Sequence, residues 1–345
     1  MASGNTWIGS NAAIPATHTH FDLRPLSTGE ILDRTFQLYR ARFTLFAGLA
    51  MLPAAVSVIT QAFRLWYTAR ESVHVHIGHD LNKVRIVTGS LLLASSLISF
   101  VLYGITQAAT TWAVSAVYLG EPASIRTAYK AVGTNWFRYT LIVLRQIWAW
   151  LWLPFLLIAT AFGFMTARRG STSANLTGAF LILIAFFSLI YSAWAYIRVS
   201  LAVPAAVIES LKVRASIKRS KQLLVDRKVR ILLLLLFLFA LYIVIGTIQA
   251  PLAFFALRER GAEAFLTHAI SLGLSFVTAT LIGPVGAIAI CLFYFDERVR
   301  REGFDIEWMM TKLAPAQTFA PAVGSDLAAS LLPPSEENSM PDQNP

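Results

Sequence analysis

The chain has 345 residues, of which 56% are apolar and only 14% are charged, and its formal net charge is +10. Ordinary soluble domains carry about 25% charged residues, so this composition and a mean hydropathy of +0.59 exclude a soluble globular protein. The excess of basic residues therefore indicates anionic lipid headgroups as the partner, and we expect no nucleic acid.

Six long apolar segments occupy more than half of the sequence. A helix needs about 20 apolar residues to cross a hydrocarbon core of about 30 Å, and every segment reaches that length. We predict an all-α fold, a polytopic transmembrane helical bundle with six spans. The segments cover residues 43–63, 91–119, 139–164, 178–205, 231–257 and 264–295.

The basic residues between these segments are unevenly distributed. Nineteen Lys and Arg residues lie on the side of the two termini and eight on the other side. The positive-inside rule then predicts a multi-pass protein of the cell membrane with both termini in the cytoplasm. The first forty residues contain no apolar run, so we expect the first span to act as its own signal. The single cysteine, Cys291, excludes an intrachain disulfide and a thiolate metal site.

The two ends of the chain differ from the apolar middle. Residues 1–22 are small and polar without periodicity, and residues 314–345 contain six prolines and four acidic residues. Such segments bury too little apolar surface to fold alone, so both are predicted to be disordered tails around a membrane domain of residues 23–313. The acidic C-terminal tail is either simply solvated or a docking segment for a protein partner.

A short amphipathic helix is predicted before each pair of spans, which gives three helix-plus-hairpin repeats on the cytoplasmic face. The first begins at a capping box formed by Ser27 and Glu30, and the second begins at Pro122. The apolar face of the first is predicted to contain Leu32, Phe36, Tyr39 and Phe43. The third has a basic face whose candidate interfacial lipid-binding residues are Arg214, Lys218, Lys221 and Arg227.

Two arginines, Arg145 and Arg198, lie inside apolar segments near the predicted cytoplasmic ends of spans three and four. Charged residues in a span are costly and usually face a partner or water. We predict that both face the bundle interior as a candidate site for a lipid phosphate or another anion. Snorkelling to the headgroups, or pairing with Glu209, is the alternative. Gln107, Gln146 or Tyr196 is the neutral residue that could contribute to the site.

No catalytic constellation or cofactor motif is visible, so a non-enzymatic protein without a cofactor is predicted. His74, His76 and His79 stand close together beside Asp80, but short histidine clusters are common in polar loops, and we predict no metal site. Five prolines interrupt the spans, namely Pro53, Pro154, Pro204, Pro251 and Pro284. Broken helices mark substrate sites in transporters, although proline is also frequent in membrane spans generally.

Both ends of the membrane domain resemble a known family. LRPLSTGEILDRTFQLYRARFTLF (23–46) and CLFYFDERVRREGFDIEWMM (291–310) are similar to the opening and the close of bacterial proteins related to the glycerophosphoryl diester phosphodiesterase membrane domain. The resemblance implies a bacterial integral membrane protein with this architecture. The catalytic barrel that gives the family its name has no counterpart in this sequence, so the resemblance implies no phosphodiesterase activity.

Two functions are compatible with this pattern. One is a membrane module that organises lipids or a protein partner at the cytoplasmic surface. The other is a transporter or lipid-handling permease. A permease predicts polar groups that converge on a cavity near the membrane midplane, whereas a module predicts a dry core with polar groups at the rim.

Overall fold

The computed structural model describes residues 25–75, 81–168, 171–225, 228–258 and 262–303. Within these residues there are ten helices and no strand. The predicted tails, residues 76–80 of the histidine cluster and Arg227 lie outside the described residues.

The helices follow one another with short connections. They are α1 Thr28–Ala41, α2 Phe43–Val75, α3 Leu81–Tyr118, α4 Ile125–Gly133, α5 Trp136–Ala167, α6 Thr172–Ile197, α7 Ala202–Ile208, α8 Val213–Leu223, α9 Lys228–Arg258 and α10 Ala262–Glu302. Six stretches of helix are long and apolar enough to cross a membrane. The prediction of an all-α bundle with six spans is therefore confirmed.

The short helices α1, α4, α7 and α8 lie at one end of the bundle, where α2, α5 and α9 begin and α3 and α10 end. We call this the charged end. The largest buried side chains also lie toward it, among them Phe46 on α2, Ile142 on α5 and Tyr294 on α10. The opposite halves of the helices expose large apolar side chains such as Phe155 and Phe180. Exposed apolar surface of this extent suits contact with lipid chains.

The predicted capping box at the start of α1 is confirmed. The Ser27 hydroxyl accepts a hydrogen bond from the backbone N–H of Glu30 at 3.2 Å, and the Glu30 carboxylate accepts one from the backbone N–H of Ser27 at 2.7 Å. The buried side of α1 consists of Ile31, Thr35 and Leu38, and α1 contacts α10, whereas Phe36 and Phe43 of the predicted apolar face are exposed; that this face lies in the headgroup layer stays a prediction. The predicted start of α4 at Pro122 was also wrong. The helix begins at Ile125 with Ser124 as its cap.

The hydropathy of the fourth span predicted one continuous helix, but the span is interrupted. It runs from Thr172 to Ile208, but α6 ends at Ile197 and α7 begins only at Ala202. The four residues between them, Arg198–Leu201, form successive turns rather than regular helix. This interruption, which we call the break, lies just before Pro204 and places Arg198 outside both helices.

Candidate functional site

The backbone groups of the break are bound by side chains from two neighbouring helices. Gln146 on α5 donates through Nε2 to the carbonyl oxygens of Val199 at 2.8 Å and Ser200 at 3.2 Å. The hydroxyl of Ser220 on α8 donates to the carbonyl of Arg198 at 3.0 Å and accepts from the N–H of Leu201 at 3.2 Å. The need for Gln146 follows from Pro204. It has no N–H for the carbonyl four residues earlier, which is that of Ser200.

At a second proline, a side chain again donates to the carbonyl that lacks a backbone N–H partner. Pro53 lies inside α2, so the carbonyl of Leu49 has no helical N–H partner. The hydroxyl of Tyr129 on α4 donates to that carbonyl at 2.6 Å. Burial raises the pKa of Tyr129, although its hydrogen bond with Thr106 lowers it, so the phenol stays a donor at neutral pH. Pro53 and Pro204 therefore have an identified structural role in joining helices.

A small cavity lies beside the break, among α3, α5, α7 and α10. Its volume is about 30 Å³, which is room for one or two water molecules. Within it, Gln107 donates through Nε2 to the hydroxyl of Tyr103 at 2.7 Å. Its polar lining is uncharged and consists of Tyr103, Gln107, Thr111, Gln146, Tyr196 and Ser200, with Val203, Pro204, Ala287 and Ile290 as the apolar remainder.

The cavity lies in the half of the bundle nearer the charged end. Gln107 is eleven residues before the end of α3 at Tyr118, which is roughly 16 Å at 1.5 Å per residue. Gln107, Gln146 and Tyr196, the neutral residues predicted to complete an anion site, all line this cavity. Neither predicted arginine is among its lining residues.

The expectation that Arg145 and Arg198 both face the bundle interior was wrong. Arg145 is exposed on α5, and the buried position beside it belongs to Gln146. Consecutive residues of a helix point about 100° apart, and at this position of α5 the inward direction belongs to Gln146. Arg198 is half-buried, and its guanidinium lies 4.5 Å from the ring centroid of Trp194, which is itself 41% exposed. Anion binding by this pair stays a prediction.

The basic face of α8 has the predicted orientation in the part of the chain that is described. Arg214, Lys218 and Lys221 are exposed, whereas Ser216, Ser220 and Leu223 are buried against the bundle. Lipid binding by these three cations, and by Arg227 outside the described residues, stays a prediction. Their neighbour Arg219 differs from them, because it points toward acidic residues of the charged end.

A cluster of ion pairs that was not predicted from the sequence closes the charged end. Its centre is Asp296 on α10, whose side chain is fully buried. Asp296 accepts hydrogen bonds from the backbone N–H of Leu26 at 2.6 Å, from Arg230 at 2.8 Å and from Arg300 at 3.0 Å. The two guanidinium groups also donate to the carbonyl of Leu26, each at 2.6 Å. Both the backbone N–H and the backbone carbonyl of Leu26 are thus bound by side chains more than 200 residues away in the sequence.

Beside this centre, α7 and α8 are attached to α10 through a second set of pairs. Glu209, at the end of α7, accepts from Arg219 at 3.1 Å and from the hydroxyl of Tyr294. Arg219 also pairs with Glu302. Glu302 in turn accepts from Arg298 at 3.1 Å. Glu209 is thus bound by partners other than Arg198, although pairing with Glu209 was the alternative predicted for the intramembrane arginines.

A signal for this cluster was present in the sequence. Two acidic residues, Asp296 and Glu297, follow directly after the last apolar run of α10, and both are buried. Buried carboxylates require hydrogen-bonded cations, so two acidic residues beside an apolar run predict that arginines lie nearby. Arg230 donates to both carboxylates, at 2.8 Å to Asp296 and 3.0 Å to Glu297.

These observations define the class of the chain as a multi-pass α-helical membrane bundle with an ion-paired end and a broken span. Comparisons with protein-family models, with curated proteins and with solved structures give no match. The two segments that resemble the glycerophosphoryl diester phosphodiesterase membrane-domain family meet at Leu26 and Asp296. Membership in that family stays a prediction.

Proposed function

We propose that this protein is a non-enzymatic integral membrane module that organises anionic lipids at the cytoplasmic face of a bacterial cell membrane. The observation that carries the proposal is the division of charge at the charged end. The acidic residues Asp296, Glu297, Glu209 and Glu302 all form ion pairs with arginines of the bundle. Arg214, Lys218 and Lys221 are exposed on α8 instead. The charge presented outward by α8 is therefore positive.

The position of α8 supports attraction to a lipid surface. Its buried side holds it against the bundle, and Ser220 attaches it to the break. Each cation near an anionic surface contributes about 1 kcal/mol, so three cations acting together produce a clear preference for anionic lipid. The preference must weaken as salt rises, because the Debye length falls from about 10 Å at 0.1 M to about 3 Å at 1 M.

The proposal is tested with the full chain in nanodiscs of mixed phosphatidylglycerol and phosphatidylcholine. We expect the surrounding lipid to be enriched in phosphatidylglycerol at low salt, and the triple variant Arg214→Gln, Lys218→Gln, Lys221→Gln to lose most of that enrichment. Arg126→Gln with Lys130→Gln is the matched control, since both residues are exposed cations on α4. Equal enrichment in the triple variant and the unaltered protein would reject α8 as the lipid-organising surface.

A transporter or lipid-handling permease is the second candidate, and the cavity beside the break supports it. Discontinuous helices line substrate sites in several transporter folds, and here the break supplies Ser200 to a polar cavity. At about 30 Å³ this cavity accommodates only water-sized species, so a larger substrate requires helices to move apart. Flux assays in proteoliposomes distinguish the candidates. A solute whose uptake is abolished by Gln107→Leu, but not by the α8 triple variant, would favour the permease.

The C-terminal tail is a further element of the proposal as a docking segment for a protein partner. It lies outside the described residues, and its support is the acidic, proline-rich composition alone.

A further inference from the structure

Two cations, one from the break and one from α9, lie against one tryptophan ring at the charged end. The guanidinium carbon of Arg198, at the end of α6, is 4.5 Å from the ring centroid of Trp194. The ammonium nitrogen of Lys228, the first residue of α9, is 6.0 Å from the same centroid. Trp194 therefore joins the end of α6 to the start of α9 through cation–π contacts.

The charge of this cluster is unbalanced in the part of the chain that is described. Neither Arg198 nor Lys228 forms an ion pair with a described acidic residue. Among the described acidic residues, Glu209 is the nearest in sequence to Arg198, and it is bound by Arg219 and Tyr294. Lys228 is exposed and Arg198 is half-buried, so an anion can approach both from outside the bundle. The two cations lie 4.5 and 6.0 Å from one ring centroid, so they repel each other, and one anionic group that reaches both relieves that repulsion.

The surroundings of the two cations indicate which anion fits. One turn further into the bundle from Arg198, Trp194 is 41% exposed, and Tyr191 beside it is also exposed. On α9, Leu232 lies about one turn beyond Lys228 and is exposed as well. Tryptophan and tyrosine favour the level of the headgroups, with apolar residues toward the hydrocarbon core. Cations at the rim above exposed apolar side chains match a phosphate with acyl chains attached.

We propose that Arg198 and Lys228, which both contact the ring of Trp194, bind the phosphodiester of one anionic phospholipid whose chains lie along the exposed side chains of α6 and α9. This site deepens the proposed function, because it gives the module one defined lipid molecule in addition to a general preference. It replaces the pairing of Arg198 with Arg145, which is exposed on α5. The recognised chemistry is a singly charged phosphate diester.

The test measures lipid retained by the full chain. The protein is transferred from nanodiscs containing phosphatidylglycerol and phosphatidylcholine into detergent, and native mass spectrometry counts the phospholipids that stay bound. We expect one retained phosphatidylglycerol. Arg198→Ala and Lys228→Ala should each weaken retention about fivefold, and the double variant should lose it almost completely. Arg198→Lys with Lys228→Arg, which conserves both charges, should retain the lipid.

Arg145→Ala is the matched control, because it removes an exposed arginine from the adjacent helix and should leave retention unchanged. Lys228→Ala also guards against misfolding, since an exposed lysine can be removed without disturbing the core. An unchanged lipid count in the double variant would overturn the site. An equal loss in Arg145→Ala would overturn it too, because the retention would then depend only on total charge.

Two further experiments identify the source of the phosphate and separate this site from the general lipid preference of α8. If excess inorganic phosphate displaces the retained phosphatidylglycerol, the site recognises a free anion and the lipid assignment is rejected. The α8 triple variant should still retain the one bound lipid even while it loses general enrichment. If the α8 triple variant loses the general enrichment but keeps the one bound lipid, the Arg198–Lys228 site is supported independently of the surface preference. If the Arg198 and Lys228 double variant keeps its bound lipid, the Arg198–Lys228 site is rejected and the surface preference of α8 is not affected.

Discussion

The backbone N–H of Leu26 donates to Oδ1 of Asp296 at 2.6 Å, although 270 positions separate the two residues. This hydrogen bond attaches the segment before α1 to the last turns of α10. Arg230 and Arg300 complete the arrangement by bonding both the carboxylate and the Leu26 carbonyl. The arrangement joins residues before the first span to the end of the sixth, so we expect it to stabilise the whole charged end.

Asp296→Ala should destabilise the protein by about 3 kcal/mol or more, because it leaves Arg230 without its closest carboxylate and the Leu26 N–H without its acceptor. Thermal unfolding in detergent, followed by circular dichroism, measures the change. Asp33→Asn on α1 is the control, since that carboxylate is exposed. Equal effects of the two substitutions would show that the cluster contributes little to stability.

Gln146→Leu should destabilise the break by about 1–3 kcal/mol, because the carbonyls of Val199 and Ser200 lose a buried donor. Hydrogen exchange at residues 198–202 should rise in this variant more than elsewhere in the bundle. Arg145→Leu, which alters the adjacent exposed position, should leave exchange at the break as it was. Unchanged protection in Gln146→Leu would mean that the break does not need this side chain.

Tyr129→Phe should cost about 1 kcal/mol, because Leu49 loses the donor that replaces the missing N–H of Pro53. In a Pro53→Ala background the helix can supply that N–H itself, so Tyr129→Phe should cost less there. Unfolding free energies of the four proteins give the coupling directly. Additive effects would contradict the link between Tyr129 and Pro53.

Gly104→Ala should destabilise the contact between α3 and α5 by about 1–3 kcal/mol, because overpacking forces the backbone to shift. A β-carbon at position 104 would lie 3.0 Å from the Cα of Thr140, which is too close for an ordinary contact. Gly89→Ala is a control on the same helix, since nothing lies within 4 Å of a β-carbon there. The unfolding temperature of Gly104→Ala should be well below that of Gly89→Ala, and the reverse order would argue against the close approach of α3 and α5.

The predicted topology is tested by cysteine labelling of intact cells. Cys291 is fully buried, so a cysteine introduced at a surface position should be the one that reacts. The positive-inside bias predicts that Thr172→Cys reacts with an impermeant reagent from outside and that Lys221→Cys reacts only after permeabilisation. Labelling of Lys221→Cys from outside would invert the proposed orientation.

The spans and the cap of α1 could be predicted from the sequence because their causes are local. An apolar run of sufficient length crosses a hydrocarbon core whatever its neighbours are, and Ser27 and Glu30 satisfy each other within one turn. The exposed basic face of α8 also followed from periodicity alone. Gln107, Gln146 or Tyr196 was predicted as an addition to an arginine site; all three line one cavity, but neither arginine is among its lining residues.

What only the tertiary structure decided was the partner of each polar group inside the bundle. Hydropathy treats Arg145 and Gln146 alike as polar residues in an apolar run, yet Gln146 faces inward, where it donates to the Ser200 carbonyl that Pro204 leaves without a backbone donor and also to the carbonyl of Val199. The pairing of Leu26 with Asp296 depends on contacts across the whole chain, which no local pattern records. Membrane spans follow from composition because the bilayer selects for length and apolarity. Hydrogen-bond partners follow from packing, because a buried polar group is stabilised only by the atoms that the fold brings beside it.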